Sequence, residues 1–417
     1  ATLFVIGSFL QGMAPNIVFL ILARTLMGIG NGGTVSLPYI IYAKMYQNPR
    51  KRMQVLGFVS ASYSMATIIG PLVGGYIVDT FSWHWVFYLN VPIGLISIIL
   101  VQIYYKVSHE TRQTRAVDYR GAIMMTVGLV SLLAGIEMIG NANLLLVLTV
   151  IGFAIVVLVV MAVLEEQVDD PIIPSRLFKN LPLMIDFVLF TLIWGAFIAF
   201  LIYSPMWAQG LLATSALIGG ATQIPGAFTD FLGSEIVAPI RNFLSPQRVI
   251  AMGIIMLMIS FIIMVISGVQ TPYWVLLIAG AFEGFGNGAC FNELQVKVQQ
   301  DADPTDIPIA TSFSFLIRML SQTFTASIFG IIMNNALRDG VSKSGGSITM
   351  KMMNELSDAS SSGALPHHLL PQMRVILFNG LHNIMWLSLI LMMISLLINI
   401  WAQKLEHDKF LKQRMQI

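Results

Sequence analysis

The chain has 417 residues, of which 56% are hydrophobic and 11% are charged. Soluble domains carry about 25% charged residues, so this composition excludes a soluble enzyme. The mean hydropathy of +0.78 requires lipid as the solvent of most of the surface. The basic residues form only short clusters beside apolar segments, which excludes a nucleic-acid-binding domain. The single cysteine excludes an internal disulfide, and the six histidines form no zinc-binding pattern with it.

Apolar runs bounded by Pro, Gly, Asn or charged residues predict twelve membrane spans. These runs predict helices, because backbone polar groups in hydrocarbon must be hydrogen-bonded within the segment and the runs are too long for barrel strands. The predicted spans are residues 1–14, 16–46, 53–79, 83–105, 118–140, 144–164, 183–204, 213–240, 247–267, 271–297, 307–337 and 372–403. The first run is too short to cross a bilayer, so we expect further sequence to precede it in the full protein.

Basic residues divide unevenly between alternate connections. One set of connections, together with the C-terminal tail, holds sixteen: Arg50, Lys51, Arg52, Lys106, Arg112, Arg115, Arg120, Arg176, Lys179, Arg241, Arg248, Lys297, Lys404, Lys409, Lys412 and Arg414. The other set holds four: Arg338, Lys343, Lys351 and Arg374. The positive-inside rule therefore predicts that the first set and both chain ends face the cytoplasm. On the opposite side, residues 338–371 form a long loop, within which residues 347–356 could form a short helix.

A glycine-rich pattern occurs twice, 256 residues apart, at residues 28–33 and 284–289. Further matches at the same offset, such as Thr67 with Thr323, indicate two related halves. The alternative is that glycine-rich helix faces resemble one another by composition. Glycines four residues apart allow helices to approach closely in lipid. The sequence predicts two such packing faces, one with Gly28 and Gly32 and the other with Gly280, Gly284 and Gly288.

The third and fourth spans carry a further pattern. Residues 70–75 read Gly-Pro-Leu-Val-Gly-Gly, and residues 83–94 read Trp-His-Trp-Val-Phe-Tyr-Leu-Asn-Val-Pro-Ile-Gly. This sequence resembles the antiporter motif of the major facilitator superfamily, followed by a signature of its fourteen-helix drug:proton antiporter branch. The residues that match the motif core are Gly70, Pro71, Gly74 and Gly75, whereas Ala66 and His84 depart from it. Upstream, Arg24 and Gly28 are similar to the family's Arg-x-x-Gln-Gly motif, with Met27 in place of Gln.

The resemblance covers almost the whole chain and implies an all-α integral membrane protein of the major facilitator fold, with about twelve of fourteen helices present. It implies a monomeric proton-coupled antiporter that exports hydrophobic or cationic drugs and other small amphipathic compounds across a bacterial cytoplasmic membrane. Its partners are then the lipid bilayer, protons and these substrates, with no cofactor, metal or nucleic acid. The alternative is a proton-coupled exporter or flippase of a lipid, glycolipid or endogenous metabolite, since the same fold serves both.

The resemblance and the repeat together predict a domain order. We expect an N-terminal half at residues 1–106 that lacks the first two helices of the family. An inserted two-helix hairpin at 118–164 and a cytoplasmic linker at 165–182 follow. The C-terminal six-helix half is predicted at 183–403, with the outside loop 338–371, and a cytoplasmic tail at 404–417. No zinc-protease motif, nucleophile elbow or phosphate loop occurs, so the sequence offers no support for an enzyme.

Ionisable residues within spans cost about 2.5–3.5 kcal/mol each on insertion scales, so each one requires an explanation. Glu283 lies about midway along the tenth span and Asp230 lies in the eighth. Both are candidates for proton or substrate coupling, and the alternative is an acid that is only hydrogen-bonded between helices. Glu235 is interpreted as a surface or gate residue. Glu137 is interpreted as a structural residue near the outer end of the hairpin.

Three further charged residues complete the candidate coupling set. Arg24 lies at the position of the family motif, where its permanent charge could hold a neighbouring acid ionised. Arg318 requires an internal partner, for which Asp230 and Glu283 are candidates. Asp186 lies near the inner end of the seventh span, where it could belong to the proton route or simply face the cytoplasm.

Overall fold

The computed structural model describes residues 1–46, 48–104, 118–139, 143–165, 174–356 and 365–415. All regular elements in these ranges are helices. They belong to two compact units, one comprising Ala1–Gln47 and Ala66–Ala116 and the other comprising Asn48–Met65 and Val117–Ile417. The predicted linker and the outside loop are described only in part, because residues 166–173 and 357–364 lie outside these ranges.

The first five helices are α1 (Thr2–Gly12), α2 (Ile17–Met45), α3 (Pro49–Thr80), α4 (His84–Tyr88) and α5 (Asn90–Tyr104). Helices α1 and α2 pack closely, because a Cβ atom on Gly7 would lie 2.5 Å from the backbone N of Met27. The predicted fourth span is divided at Leu89 between α4 and α5. Pro92 then falls in the first turn of α5, where its missing N–H leaves no helical hydrogen bond unmade.

The central hairpin consists of α6 (Tyr119–Glu137) and α7 (Leu144–Glu165), and α8 (Ser175–Lys179) follows. Asp118 caps α6 by accepting a hydrogen bond from the Gly121 N–H at 2.9 Å. Gly128 and Gly135 of α6 lie against the side chains of Leu158 and Ile151 of α7. The two helices therefore pack directly against each other.

The remaining helices of the second unit are α9 (Leu181–Gly210), α10 (Ala216–Ala221), α11 (Ile224–Ile240), α12 (Pro246–Ile266), α13 (Tyr273–Asp301), α14 (Ile307–Lys343), α15 (Met350–Leu356) and α16 (Leu370–Met415). The predicted eighth span is divided between α10 and α11, and Pro225 lies at the start of α11. Helix α15 falls within the loop segment that the sequence indicated, and it buries Met353 completely. The large buried side chains of this unit include Trp207 and Phe261.

Nine helical segments in the described part of the chain are long and apolar enough to cross a membrane. They correspond to nine of the twelve predicted spans. The other three predicted spans fall on α1, α3 and α11, which have 11, 32 and 17 residues. Every predicted span therefore coincides with helical structure, and the all-helical membrane architecture is confirmed.

Candidate functional site

Helices α11 and α13 meet along a seam of glycines. A Cβ atom on Gly280 would lie 3.1 Å from the carbonyl oxygen of Thr222. A Cβ atom on Gly284 would overlap the backbone of Gly226, and one on Gly288 would overlap the backbone of Asp230. The structure thus places the face of Gly280, Gly284 and Gly288 directly against α11. Only glycine permits this backbone separation.

Polar side chains form hydrogen bonds between α11 and α13 along the same seam. The Ser234 hydroxyl donates a hydrogen bond to the Gly288 carbonyl at 3.2 Å. The Asn292 side-chain amide donates to the Ser234 carbonyl at 2.8 Å. Such bonds between helices are favourable in a membrane, because water is absent there as an alternative partner.

Two carboxyl groups lie along this seam. Glu283 of α13 is 4% exposed, and its Oε1 has no hydrogen-bond partner among the described residues. Asp230 of α11 accepts a hydrogen bond from Asn287 Nδ2 at 2.8 Å. A Cβ atom on Gly226, one helical turn before Asp230 on α11, would lie 3.5 Å from Glu283 Oε2, so the Glu283 carboxyl group faces the turn that precedes Asp230. Ionisation of both neighbouring carboxyl groups is unfavourable, because their negative charges repel each other. The pair is therefore suited to binding and releasing one proton.

The guanidinium group of Arg318, in α14, packs over the rings of two phenylalanines. Its Cζ lies 5.0 Å from the ring centroid of Phe291 and 4.8 Å from that of Phe315. These cation–π contacts stabilise a guanidinium that a membrane helix would otherwise bear at high cost. Phe291 lies eight residues, or about 12 Å, along α13 from Glu283. The structure therefore gives Arg318 an aromatic environment, which the sequence did not predict.

Asp186 of α9 belongs to a buried ion-pair cluster at the far end of α13. Lys297 Nζ lies 3.1 Å from Asp186 Oδ1, and it also contacts the carboxylate of Asp301. Asp186 is 0% exposed and Lys297 is 5% exposed. The sequence predicted that the tenth span ends at Lys297, and in the structure α13 continues to Asp301.

Further members of this polar cluster were not identified from the sequence. Glu293 is completely buried, and its Oε1 lies 3.2 Å from Arg241 Nε. The guanidinium of Arg52 donates a hydrogen bond to Gln299 Oε1 at 3.0 Å. A sequence signal existed, because Glu293, Lys297 and Asp301 are spaced four residues apart and so share one helix face.

The other charged candidates lie apart from the seam. Arg24 is exposed on α2. Glu235 is half-buried, and a Cβ atom on Gly57 of α3 would overlap its carboxylate. Glu137 is exposed on α6 and accepts a hydrogen bond from the Ser327 hydroxyl of α14 at 3.2 Å. The contact of Glu137 fits the structural role expected for it.

The glycines of the first unit differ in how closely they approach neighbouring helices. All four motif residues, Gly70, Pro71, Gly74 and Gly75, lie on α3. A Cβ atom on Gly70 or Gly74 would meet nothing within 4 Å. The same is true of Gly28 and Gly32 on α2, whereas Gly7 and Gly30 mark the tight α1–α2 contact. The packing of α2 on α1 therefore uses a face roughly opposite to that of Gly28 and Gly32, since Gly30 lies two residues, or about 200°, around the helix from Gly28.

Metal binding finds no support in the described ranges, where no group of three or more His, Cys, Asp or Glu side chains could hold an ion.

The chain matches the family model described as Major Facilitator Superfamily over residues 1–326. It is 30% identical over 335 residues to Multidrug resistance protein 3 of Bacillus subtilis, covering 80% of this chain and 65% of that protein. It is 29% identical over 340 residues to the multidrug transporter protein MdtP of the same organism, covering 80% and 62%. The chain thus spans slightly less than two thirds of these two relatives. It is also 29% identical over 346 residues to the multidrug efflux pump SdrM of Staphylococcus aureus, covering 81% and 74%.

Solved structures share the fold. A bacterial homologue of the human lysosomal transporter Spinster, inward-facing and occupied, gives a TM-score of 0.53 at 15% identity, covering 96% of this chain and 80% of that one. A bacterial homologue of the human drug peptide transporters PepT1 and PepT2 gives 0.54 at 14% identity, covering 97% and 82%. At these identities the likeness shows a common fold and no more.

Proposed function

The chain belongs to the major facilitator superfamily, and from this premise we propose that it is a proton-coupled antiporter that exports hydrophobic or cationic small molecules. The multidrug relatives support the substrate class, and we assign the transporter to a bacterial cytoplasmic membrane on the same basis. The family consists of membrane transporters rather than enzymes. The observation that carries the coupling proposal is the buried carboxyl group of Glu283, whose Oε1 has no hydrogen-bond partner among the described residues.

The proposed coupling follows from the surroundings of Glu283. A neutral, protonated carboxyl group is tolerated in such a site, whereas a carboxylate requires a cation or water nearby. Asp230 opposes a second negative charge on the same seam. A cationic substrate that enters this region can therefore take the place of the proton. Only a group whose affinity for protons differs between states can convert a gradient into directed movement.

The proton gradient supplies enough free energy for this exchange. One proton that crosses a potential of about 100 mV releases about 2.3 kcal/mol. That free energy sustains a concentration gradient of about fiftyfold for a neutral substrate at one proton per cycle. Coupling through one carboxyl group is therefore sufficient for useful export.

The proposal predicts that Glu283→Gln impairs proton-coupled export in the full-length protein. Glutamine preserves the size and hydrogen bonding of the side chain but cannot ionise. We expect substrate-induced proton release from proteoliposomes to fall on the order of tenfold for a lipophilic cation, equivalent to about 1.4 kcal/mol. A neutral hydrophobic substrate should be affected less, because Asp230 remains.

The matched control is Glu137→Gln, which removes an exposed acid from α6. This variant should release protons at the parental rate at equal protein amount. Unchanged release by Glu283→Gln with both substrates would contradict the coupling role and assign Glu283 to packing alone.

A further inference from the structure

A cavity of about 690 Å³ lies in the second unit, away from the seam. It is formed by the residues just after α9, the connection after α12 and the first turns of α16. Its walls include the apolar side chains of Leu211, Leu212, Val269 and Val375. The polar side chains in its lining are Gln270 and Arg374. An apolar cavity with a single cation suits an amphipathic ligand that carries negative charge.

Arg374 is the chemically distinctive member of this lining. Its Nε is buried and has no hydrogen-bond partner among the described residues. A buried charged donor without an acceptor is unfavourable, so an anion that accepts a hydrogen bond from this nitrogen would bind favourably. Guanidinium groups bind phosphate through two parallel N–H···O bonds, and this geometry makes arginine a common phosphate ligand. The positive end of the α16 dipole adds to the attraction for an anion.

The surroundings of the cavity place it at a membrane surface. Ile266, the last residue of α12, is 77% exposed, and Trp274 in the first turn of α13 is 60% exposed. Exposed apolar residues at this depth face lipid, and tryptophan is enriched where acyl chains meet headgroups. Val375 beside Arg374 is 48% exposed, so the apolar wall continues onto the lipid-facing surface. This pattern of exposed residues indicates that the cavity lies near the membrane surface.

We propose that this cavity binds the phosphate of an anionic bilayer lipid. Arg374 holds the phosphate, Gln270 contacts the polar headgroup, and Leu212 and Val375 contact the upper methylene groups of the acyl chains. The basic asymmetry of the sequence assigns this end of the helices to the outer leaflet. The proposal does not depend on proton coupling or on the exported substrate. It assigns a ligand to a cavity whose lining includes none of the seam residues.

The test measures lipid binding to the purified full-length protein by native mass spectrometry, with dioleoylphosphatidylglycerol as the probe. Arg374→Gln should weaken the apparent Kd at least tenfold, and Arg374→Lys should weaken it less because the charge remains. The matched control is Arg338→Gln, which removes an exposed arginine from α14. It should change the Kd less than twofold. Dioleoylphosphatidylcholine should bind the parent more weakly than phosphatidylglycerol, because its headgroup has no net charge.

A second variant covers the case in which Arg374→Gln does not fold. Val375→Asp places a negative charge at the exposed rim, and it should reduce phosphatidylglycerol binding by a similar factor. Parental lipid binding by folded Arg374→Gln, or by Val375→Asp, would overturn the proposal. Displacement of the lipid by millimolar inorganic phosphate alone would also overturn it, since the site would then recognise a free anion.

Discussion

The buried lysine of α13 shows how a charge is tolerated inside this membrane protein. Lys297 is almost fully enclosed, and its ammonium group lies between the carboxylates of Asp186 and Asp301. Transfer of an isolated charge into a low-dielectric interior costs several kcal/mol. The attraction of two carboxylates offsets that cost only while all three groups remain in place.

Removal of this lysine should therefore destabilise the protein strongly. Lys297→Met leaves Asp186 buried without its cation, a change that costs about 3–5 kcal/mol in comparable buried pairs. We expect the variant to aggregate at a lower temperature than the parent, as measured by size-exclusion chromatography after heating in detergent. Lys297→Met combined with Asp186→Asn should recover part of the loss. The exposed Lys343→Met is the control and should behave as the parent does, and an equally stable Lys297→Met variant would contradict the role of the pair.

Single residues differ in how far the sequence could foresee them. Glu283 could be identified from the sequence, because an ionisable residue at the centre of an apolar span is costly to insert and therefore indicates a function. The burial of Lys297 was not foreseen, because this residue lies where an apolar span merges with a polar helix end. Its partner Asp186 is more than a hundred positions away in the chain, and one sequence does not report that contact. The contact of Arg318 with Phe291 was inaccessible for the same reason, whereas Phe315 lies only three residues before Arg318 on the same helix.

Among the helices, the α11–α13 seam depends most directly on glycine. Association in lipid lacks the hydrophobic driving force that operates in water, so close backbone contact must supply the attraction. The seam provides this contact over three glycines of α13, and it carries both acids proposed for coupling. Its packing and its proposed chemistry therefore depend on the same helix separation.

A single methyl group at the seam should be enough to disturb it. In Gly284→Ala the new Cβ would overlap the Gly226 backbone, so the helices must separate. Overpacking of this kind costs about 1–3 kcal/mol, and we expect a lower thermal unfolding temperature by tryptophan fluorescence. The matched control is Gly330→Ala in α14, where a Cβ meets nothing within 4 Å. That variant should be at least as stable as the parent, and equal stability of the two variants would argue against a tight seam.

Element boundaries were predictable where hydropathy alone decides them. The predicted hairpin spans match α6 and α7 within a few residues, because both helices are apolar between polar ends. The divisions between α4 and α5 and between α10 and α11 were not predicted. In both cases a proline sits in the first turn of the second helix, a position that proline favours. Because proline is also tolerated within membrane helices, the sequence could not decide between a kink and a new helix.

At the scale of the whole molecule, the features that could be predicted from the sequence are mainly those that the membrane imposes. The spans and their helical structure follow from the need to satisfy backbone polar groups in lipid, whereas the fold family was indicated by the motif resemblance. The orientation rests on the distribution of basic residues, and one span more or fewer would scramble that distribution. The glycine patterns of α2 and α3 did not predict where these helices pack, because a Cβ atom on Gly28, Gly32, Gly70 or Gly74 would meet nothing within 4 Å.

The predicted orientation can be tested by cysteine labelling. Cys290, the single cysteine of this sequence, is completely buried, so we expect it not to react itself. Ser347→Cys lies in the long loop after α14 and should react with an impermeant maleimide in intact cells. Asn242→Cys lies in the turn between α11 and α12 and should react only after the membrane is permeabilised. The reverse pattern would invert the topology.

The linker helix α8 is tied to the beginning of α14. Arg176 donates two hydrogen bonds to the Asp306 carboxylate, from Nε at 2.6 Å and from Nη2 at 2.5 Å. The Asn180 side chain also donates to the Asp301 carbonyl at 2.7 Å. The paired guanidinium contact restrains angle as well as distance. The connection from the central hairpin is thus held at the start of α14. A movement of this end of α14 would have to carry α8 with it or break these hydrogen bonds.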